Sequence, residues 1–181
     1  MYPVRLDGSR VILRELEEKD LDPILAYARD LDVMYWTVGR IIDGPEESTW
    51  LNEIRADAIK EPRRGYGLAI EHEGRLVGTV TLEIENTEHA RGHLGYALRK
   101  DVWGNGFATE AAQLMIDFGF NELGLRRIYA TLDVRNERSR RVLEKIGMVR
   151  EGTLRSFMRK DDGWTDSYLY AMVLDDNMSD Q

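Results

Sequence analysis

Apolar residues along the chain recur at two spacings, one typical of strands and one typical of helices. The run from Arg10 to Arg14 (RVILR) is short and rich in β-branched residues, so it predicts a strand. A helix is predicted next because apolar residues then recur three or four positions apart, at Leu21, Ile24, Leu25 and Ala28. A second helix is predicted from Pro45 and Glu46 to near Pro62.

The middle of the chain predicts a hairpin, a loop and a third strand. Residues 67–84 (GLAIEHEGRLVGTVTLEI) are two extended segments around Glu73-Gly74, a pair typical of a tight hairpin turn. Residues 85–92 (ENTEHARG) are polar, which predicts a loop, and residues 93–99 (HLGYALR) predict a strand.

The last third alternates helices and strands and ends in a second hairpin. A helical stripe is formed by Ala108, Ala111, Ala112, Met115 and Phe118. Residues 126–134 (RRIYATLDV) predict a strand, and Asn136 is a suitable N-cap for a helix that stops at Gly147. Residues 148–158 and 164–174 flank Asp162-Gly163 as a closing hairpin, and residues 175–181 predict a solvated tail.

Composition limits the classes of protein that the chain can belong to. Its 181 residues, 43% apolar and 32% charged, predict one mixed α and β domain over residues 1–181. No apolar run approaches the ~20 residues of a membrane span and the start lacks a signal-peptide layout, so we expect a cytoplasmic protein with no membrane partner. The net charge of −8 argues against nucleic-acid binding, and the absence of cysteine excludes disulfides and a thiol nucleophile.

Residues 102–112 (VWGNGFATEAA) place two glycines directly before a helix. Backbone N–H groups at such a helix start suit a pyrophosphate, because the helix dipole adds a positive field. No GK[ST] follows, which excludes a Walker loop. A Rossmann nucleotide site stays open, because a strand precedes the glycines and Asp133 ends the next strand. Against it, Thr109 stands where that motif has a small residue, and KDVW separates the strand from the glycines.

Three linked motifs resemble the GNAT superfamily of N-acetyltransferases, most closely the branch of ribosomal-protein N-terminal acetyltransferases. The first motif is Gly95-Tyr96, the second is residues 103–111 (WGNGFATEA), and the third is residues 136–139 (NERS) together with residues 144–148 (EKIGM). The resemblance covers nearly the whole chain. It implies an α+β GNAT fold: a mostly antiparallel sheet of about six to seven strands, splayed between its two middle strands, with about four flanking helices.

The same resemblance implies how acetyl-CoA is bound, with no metal. The backbone of Ala97, Leu98 and Arg99 is expected to bond the pantetheine arm. The pyrophosphate is expected on the segment Trp103, Gly104, Asn105, Gly106, Phe107, Ala108 and Thr109, although packing is a simpler role for Trp103. Asn136 is expected at the cofactor arm, Ser139 near the sulfur and Lys145 at the nucleotide end. Each has a plain alternative: an N-cap for Asn136, a surface hydroxyl for Ser139 and a helix-dipole partner for Lys145.

The residue types favour direct attack of an amine on the thioester within a ternary complex, because there is no cysteine and no GxSxG serine to carry the acyl group. Ser139 is the candidate donor to the leaving thiolate. His93 is the candidate base, since a histidine pKa of ~6.5 suits neutral pH, although a partly exposed structural histidine is an equal alternative. Other candidate bases are Glu83, Glu85, Asp133 and Glu151. His89 and His93 are not expected to bind zinc, because HARGHLGY does not predict a helix that would align them.

An α-amino group of pKa ~8 needs about 1.4 kcal/mol for deprotonation at pH 7, against about 4.6 kcal/mol for a lysine-like amine. The predicted acceptor is therefore a protein N-terminus or a small primary amine, bound by residues 30 to 65 and the turn near 158 to 164. A homodimer is also compatible with the apolar closing strands. The alternatives are a Rossmann-type oxidoreductase and a non-catalytic acyl-CoA-binding module on the same fold.

Overall fold

The structure is a computed structural model that describes residues 2–37 and 45–177. Its strands are β1 (Arg5–Asp7), β2 (Ile12–Glu15), β3 (Gly65–His72), β4 (Arg75–Asn86), β5 (Arg91–Leu98), β6 (Arg127–Asp133), β7 (Val149–Lys160) and β8 (Gly163–Val173). Its helices are α1 (Leu21–Ala28), α2 (Leu31–Thr37), α3 (Pro45–Ala58), α4 (Phe107–Asn121), α5 (Glu137–Lys145) and the short α6 (Leu174–Asn177). None of the described helices is long and apolar enough to cross a membrane.

All eight strands form one sheet in the order β1-β2-β3-β4-β5-β6-β8-β7. Every neighbouring pair is antiparallel except β5 and β6, which are parallel. The mostly antiparallel α+β architecture is therefore confirmed. The sheet has one strand more than the upper predicted number because β1, which is only three residues long, carries too few residues for a period-two signal.

The sheet splays at its middle. β5 and β6 pair only from Arg91 to His93, opposite Arg127 to Tyr129, at the start of each strand. Beyond His93 the two strands separate, and the edge of β5 that faces β6 has no strand partner. The gap, called here the V, has its apex at His93 and Tyr129 and opens toward Leu98 and Asp133.

Helices cover both faces of the sheet and form two cores. Successive residues of a strand point to opposite faces, and in β3 Leu68 and Ile70 join the core under α4 and α5, whereas Ala69 joins the core under α1, α2 and α3. The first core includes the fully buried side chains of Met115 and Leu143. The V thus lies between two helical layers.

The local turn chemistry agrees with the sequence. Glu73 and Gly74 both have positive φ, at 48° and 75°, as the predicted tight turn between β3 and β4 requires. Asn136 caps α5, since its side-chain oxygen accepts the backbone N–H of Ser139 at 3.1 Å. Gly147 ends the same helix with a φ of 83°.

Two predicted segments differ from the structure. The loop predicted over residues 85–92 is wrong, because β4 continues to Asn86 and β5 begins at Arg91, which leaves a turn over residues 87–90. The polar composition reflects an exposed strand end, where Glu83 and Glu85 face solvent and Leu82 is buried. The predicted number of helices, about four, also falls short, because α2 and α6 were not foreseen.

Parts of two predicted segments lie outside the described residues. These are residues 38–44 within the expected acceptor-binding region and residues 178–181 of the expected tail. The start of that tail is helical, since α6 runs to Asn177.

Candidate active site

Two cavities meet at β5, and the second of them extends into the V. The first, called here the cofactor cavity, has a volume of about 450 Å³ and extends along the start of α4 and one side of α5. The second, called here the acceptor cavity, has a volume of about 530 Å³ and lies under α1, α2 and the hairpin of β7 and β8. Four residues line both cavities: Trp36, Thr37, Tyr96 and Ala97.

The two glycines before α4 form an open cradle in the cofactor cavity. Gly104 and Gly106 have φ values of 84° and 81°, a conformation that favours glycine. A Cβ at Gly104 would meet nothing within 4 Å, whereas one at Gly106 would lie 3.2 Å from the guanidinium of Arg10. α4 begins directly afterwards at Phe107, and the first N–H groups of a helix have no intrahelical acceptor. This arrangement fits the pyrophosphate of a coenzyme.

Arg10 braces this loop from the N-terminal part of the chain. Its Nη1 donates to the backbone oxygen of Asn105 at 2.8 Å, and its Nε donates to Glu110 at 2.9 Å. Glu110 also accepts the hydroxyl of Ser9 and the backbone N–H of Arg10. Burial works against ionisation of this carboxyl, but the hydrogen bonds prevail and lower the pKa of Glu110 to about 2. The start of α4 is therefore held by a charged residue at neutral pH.

The backbone of β5 offers hydrogen-bonding groups to the V at alternate residues. The N–H of Arg99 donates to Val77 at 3.0 Å, and the hydroxyl of Thr81 donates to the oxygen of Gly95, so these odd-numbered residues face β4. Because backbone groups alternate along a strand, Tyr96 and Leu98 face the V. The backbone oxygen of Leu98 accepts the indole N–H of Trp103 at 2.9 Å. The backbone N–H of Leu98 and the backbone N–H and C=O of Tyr96 face the gap.

One side of α5 adds cationic groups to the cofactor cavity. Arg138, Arg141 and Lys145 lie three and four residues apart, so they share a helix face, and all three line the cavity. The guanidinium of Arg138 lies over the ring of Trp103, 4.8 Å from its centroid. The phosphate groups of a coenzyme are anions that such a face attracts.

Ser139 lies where α5 faces β5. Its hydroxyl shares a 2.8 Å hydrogen bond with the hydroxyl of Tyr96. Burial raises the pKa of Tyr96 to about 12, so the phenol keeps its proton at neutral pH. Asn136, one turn earlier, also lines the cofactor cavity while it caps the helix. The cap and the cavity-facing position of Asn136 therefore coexist.

His93 lies on the other face of β5, in the acceptor cavity, together with Gly95 and Ala97. Its ring packs against that of Tyr129, with centroids 5.0 Å apart, across the apex of the V. Burial lowers the pKa of His93, although the nearby Glu83 and Glu85 act in the opposite direction. The imidazole is accordingly uncharged near neutral pH, the form that accepts a proton.

Two of the other candidate bases, Asp133 and Glu151, already form ion pairs within the protein. Asp133 is buried and accepts Arg135 through both carboxylate oxygens, at 2.9 and 2.8 Å, and Lys160 lies 2.9 Å from it. Burial would raise the pKa of Asp133, but these bonds lower it far below its usual value. Glu151 is exposed and pairs with Arg127, a contact that lowers the pKa of Glu151. Neither carboxylate is placed to accept a proton from a substrate.

The structure brings most of the predicted cofactor residues to one cavity. Its lining includes Ala97, Leu98, Trp103, Gly104, Gly106, Phe107, Ala108, Thr109, Asn136, Ser139 and Lys145. Arg99 and Asn105 lie beside it: the side chain of Arg99 pairs with Asp101, and that of Asn105 donates to the oxygen of Val102. Within residues 2–37 and 45–177, no cluster of three or more His, Asp or Glu side chains is suited to a metal ion.

Sequence reasoning missed several residues of the site. The spacing of Arg138, Arg141 and Lys145 was the signal that could have found the cationic face of α5. No sequence signal pairs Tyr96 with Ser139, because the two are 43 residues apart and meet only through the fold. Trp36 in α2 belongs to the region predicted to bind the acceptor, residues 30 to 65, but its place in the lining of the cofactor cavity was not predicted.

Comparisons with known proteins agree with this geometry. The acetyltransferase (GNAT) domain family matches residues 10–149. A probable N-acetyltransferase of Bacillus subtilis, YjcK, is 36% identical over 180 residues, which cover 95% of this chain and 98% of that protein. The spermidine N(1)-acetyltransferase of Escherichia coli K12 is 30% identical over 80% of this chain and 75% of its own length.

Among solved structures, RimJ of Mycobacterium smegmatis in complex with CoA-disulfide superposes with a TM-score of 0.86 at 26% identity, over 99% of this chain and 91% of that one. Homologues include ribosomal-protein acetyltransferases, in agreement with the branch predicted from the motifs. Nothing supports the Rossmann oxidoreductase alternative: the sheet is mostly antiparallel, and Asp133 is occupied by its own cations. The chain belongs to the GNAT family of acetyl-CoA-dependent N-acetyltransferases.

Proposed function

We propose that the protein transfers the acetyl group of acetyl-CoA to a primary amine by direct attack in a ternary complex. The observation that carries the proposal is the meeting of the cofactor and acceptor cavities at Tyr96 and Ala97, beside the unpaired edge of β5. A donor and an acceptor that enter from opposite sides of the sheet would meet there without a covalent enzyme intermediate.

In this proposal the cofactor lies along the cofactor cavity with its pyrophosphate on the backbone of residues 104–109. Arg138, Arg141 and Lys145 face its phosphate groups. The pantetheine arm enters the V and bonds the backbone of Tyr96 and Leu98, the residues of β5 whose backbone faces the gap. Of the predicted residues Ala97, Leu98 and Arg99, only Leu98 keeps this role, because the backbone groups of Ala97 and Arg99 face β4. Ala97 then borders the acetyl group through its small side chain.

The two proton transfers take place on opposite faces of β5. His93 accepts a proton from the amine on the acceptor side, the amine nitrogen bonds to the acetyl carbon, and the carbon–sulfur bond breaks. The hydroxyl of Ser139 donates to the leaving thiolate on the cofactor side and is replenished from Tyr96, to which it is hydrogen-bonded at 2.8 Å, and Tyr96 regains its proton from water in the cavity. Glu85, which lines the acceptor cavity near His93, is the second candidate base.

The acceptor is proposed to be a primary amine, either a small molecule or a protein N-terminus. Both classes occur among the relatives: one is named a spermidine N(1)-acetyltransferase and another a putative ribosomal N-acetyltransferase. An α-amino group needs about 3 kcal/mol less for deprotonation at pH 7 than a lysine-like amine does. A site with a single histidine as base is therefore better matched to an α-amino group than to a lysine-like amine.

Release of coenzyme A thiol in the presence of acetyl-CoA and a panel of amines tests the proposal. We expect amine-dependent release and a stoichiometric N-acetylated product by mass spectrometry. Acetyl-CoA binding without release for every amine would instead favour a non-catalytic acyl-CoA-binding module. An acetylated protein trapped after a single turnover without acceptor would contradict direct attack.

We further expect a cytoplasmic homodimer, with β7 as the most exposed strand of the sheet. Val149 on β7 and Trp164 on β8 are large apolar side chains exposed to solvent, at 59% and 66%. Light scattering coupled to gel filtration measures the oligomeric state, and cell fractionation measures the location.

A further inference from the structure

The charges around the acceptor cavity bear on which amine it accepts, an inference that rests on the proposed function. Apart from the tyrosines Tyr27, Tyr96 and Tyr129, which are uncharged at neutral pH, the titratable side chains among its described lining residues are Glu85, His93, Asp133 and Lys160. A polyamine carries two or more positive charges, so a site that selects it needs carboxylates free to pair with them. Whether the cavity can select a polyamine therefore depends on the partners that Glu85 and Asp133 already have.

Asp133 already has two cationic partners and no capacity left for a third. Both of its oxygens accept bonds from Arg135, and Nζ of Lys160 lies 2.9 Å from Oδ2. The side chain of Lys160 is only 1% exposed. Its ammonium also lies over the rings of Tyr35 and Trp36 in α2, 4.2 and 5.2 Å from their centroids. A fixed positive charge thus belongs to the wall of the acceptor cavity.

Glu85, at the apex of the V, is also already paired. Its carboxylate lies 3.3 Å from Arg91 and accepts the hydroxyl of Tyr129. His93 adds no negative charge, since its imidazole is neutral or positive. The described lining therefore provides one partly compensated carboxylate, enough for a single ammonium group.

The remaining wall is mostly apolar, with hydroxyl groups from threonines and tyrosines, and includes an aromatic side chain at the surface. Phe157 lines the acceptor cavity although it is 48% exposed. A bulge in β7 presents it: between the pairs Leu154 with Ser167 and Met158 with Thr165, three residues of β7 oppose one of β8. At its centre Ser156 has a φ of 47°, and its N–H donates to the side chain of Asp166 at 2.8 Å. Bulges beside a site commonly re-aim a side chain toward it.

We infer that the acceptor is a primary amine with a single positive charge and an apolar or aromatic group beside it, and that Lys160 excludes polyamines. An arylalkylamine and a peptide with an apolar first residue share this chemistry. Phe157 contacts the apolar group, and the ammonium enters toward Glu85 and His93 before it loses its proton.

The test compares kcat/KM for three acceptors by thiol release: 2-phenylethylamine, a tripeptide amide that begins with Phe, and spermidine. We expect at least one of the first two to exceed spermidine by ten-fold or more, and the better of the two identifies the source. Spermidine as the best acceptor would overturn the inference and leave the proposed function intact. No release with any of the three, despite acetyl-CoA binding, would overturn both.

Two substitutions locate the selectivity. Lys160→Met removes the buried cation, and we expect the ratio of spermidine to phenylethylamine kcat/KM to rise ten-fold or more. The double variant Lys160→Met with Asp133→Asn restores the net charge of the wall, so its ratio should return toward that of the wild type. Lys60→Met, an exposed lysine paired with Asp57, is the control and should leave the ratio unchanged. An unchanged ratio in a folded Lys160→Met protein would contradict the role of Lys160.

Phe157→Ala is a second test that changes no buried charge, because Phe157 is uncharged and half exposed. We expect about a ten-fold loss of kcat/KM for phenylethylamine with little change for spermidine. Equal losses for both acceptors would show that Phe157 does not select the apolar group.

Discussion

At the scale of single residues, a hydrogen bond joins the hydroxyl of Ser139 in the cofactor cavity to the partly buried phenol of Tyr96. If Ser139 donates to the leaving thiolate, Ser139→Ala should lower kcat by about 100-fold, within the range that positioned acids contribute. The KM for acetyl-CoA should change less than three-fold, since the proposed cofactor contacts come mainly from backbone groups and from the cations of α5. Tyr96→Phe should give a smaller loss, because Ser139 can still exchange its proton with water. Steady-state kinetics measure both, and a normal kcat for Ser139→Ala would remove this residue from the chemistry.

His93 allows a prediction about pH dependence. Burial lowers the pKa of His93 below its usual 6.5, so the neutral base is present at pH 7 and is lost as the pH falls through the lowered value. We expect kcat/KM to fall with one proton on that acidic limb. His93→Gln should lower kcat/KM and abolish the limb, whereas His89→Gln, in the exposed turn before β5, should preserve it. An unaltered limb in His93→Gln would transfer the role of base to Glu85.

The residues of the site differ in how far their sequence context reveals them. Asn136 and Ser139 stand in a motif and a helix start that local rules can recognise, and the structure places both in the cofactor cavity. The cation of Lys160 beside Asp133 has no such signal, because a lysine in a strand next to a turn usually reaches solvent. Only the packing of α2 against the end of β7 buries it, through Tyr35 and Trp36.

At the scale of elements, the loop between β5 and α4 depends on its two left-handed glycines. Gly106→Ala places a Cβ in a conformation that costs about 1–2 kcal/mol and lies 3.2 Å from the guanidinium of Arg10, which itself holds Asn105. We expect acetyl-CoA affinity to fall by more than ten-fold, and a bulkier residue should abolish binding. Isothermal titration measures the loss.

Gly74→Ala is the matched control for that loop. Gly74 has a φ of 75° in the turn between β3 and β4, and a Cβ there would meet nothing within 4 Å. It carries the same backbone strain with no relation to the cofactor cavity, so it should lower the free energy of unfolding and leave acetyl-CoA affinity unchanged. Wild-type affinity in Gly106→Ala would contradict the assignment of the pyrophosphate loop.

Elements with strong local signals were the predictable ones. The turn at Glu73 and Gly74 and the glycine-terminated α5 follow from backbone rules that act over a few residues. The end of β4 was not predictable in the same way, because its polar residues lie at an exposed strand end and mimic a loop. The bulge that presents Phe157 is also invisible in the sequence, since no glycine marks Ser156, which adopts a positive φ.

At the scale of the whole molecule, the V joins two layers that otherwise have separate cores. α4 and α5 belong to the core that contains Met115, and α1 and α2 belong to the one that contains Met34. The cofactor cavity is lined from both layers, by Val33 and Trp36 of α2 as well as by α4 and α5. A ligand in this cavity therefore contacts elements that touch each other little without it.

This arrangement predicts that acetyl-CoA stabilises the elements of both layers that line the cavity, and not only the helix at the proposed pyrophosphate site. At a free concentration 100 times its Kd, acetyl-CoA should raise the free energy of unfolding by about 2.7 kcal/mol. Hydrogen exchange of the amides of Val33 and Trp36 should slow together with those at the start of α4, whereas β1, which lies outside the cavity lining, should be unaffected. NADH, which a Rossmann site would bind, serves as the control and should change neither quantity. Protection limited to α4 would mean that α2 does not close on the cofactor, and the acceptor cavity would then have to be bounded by other elements.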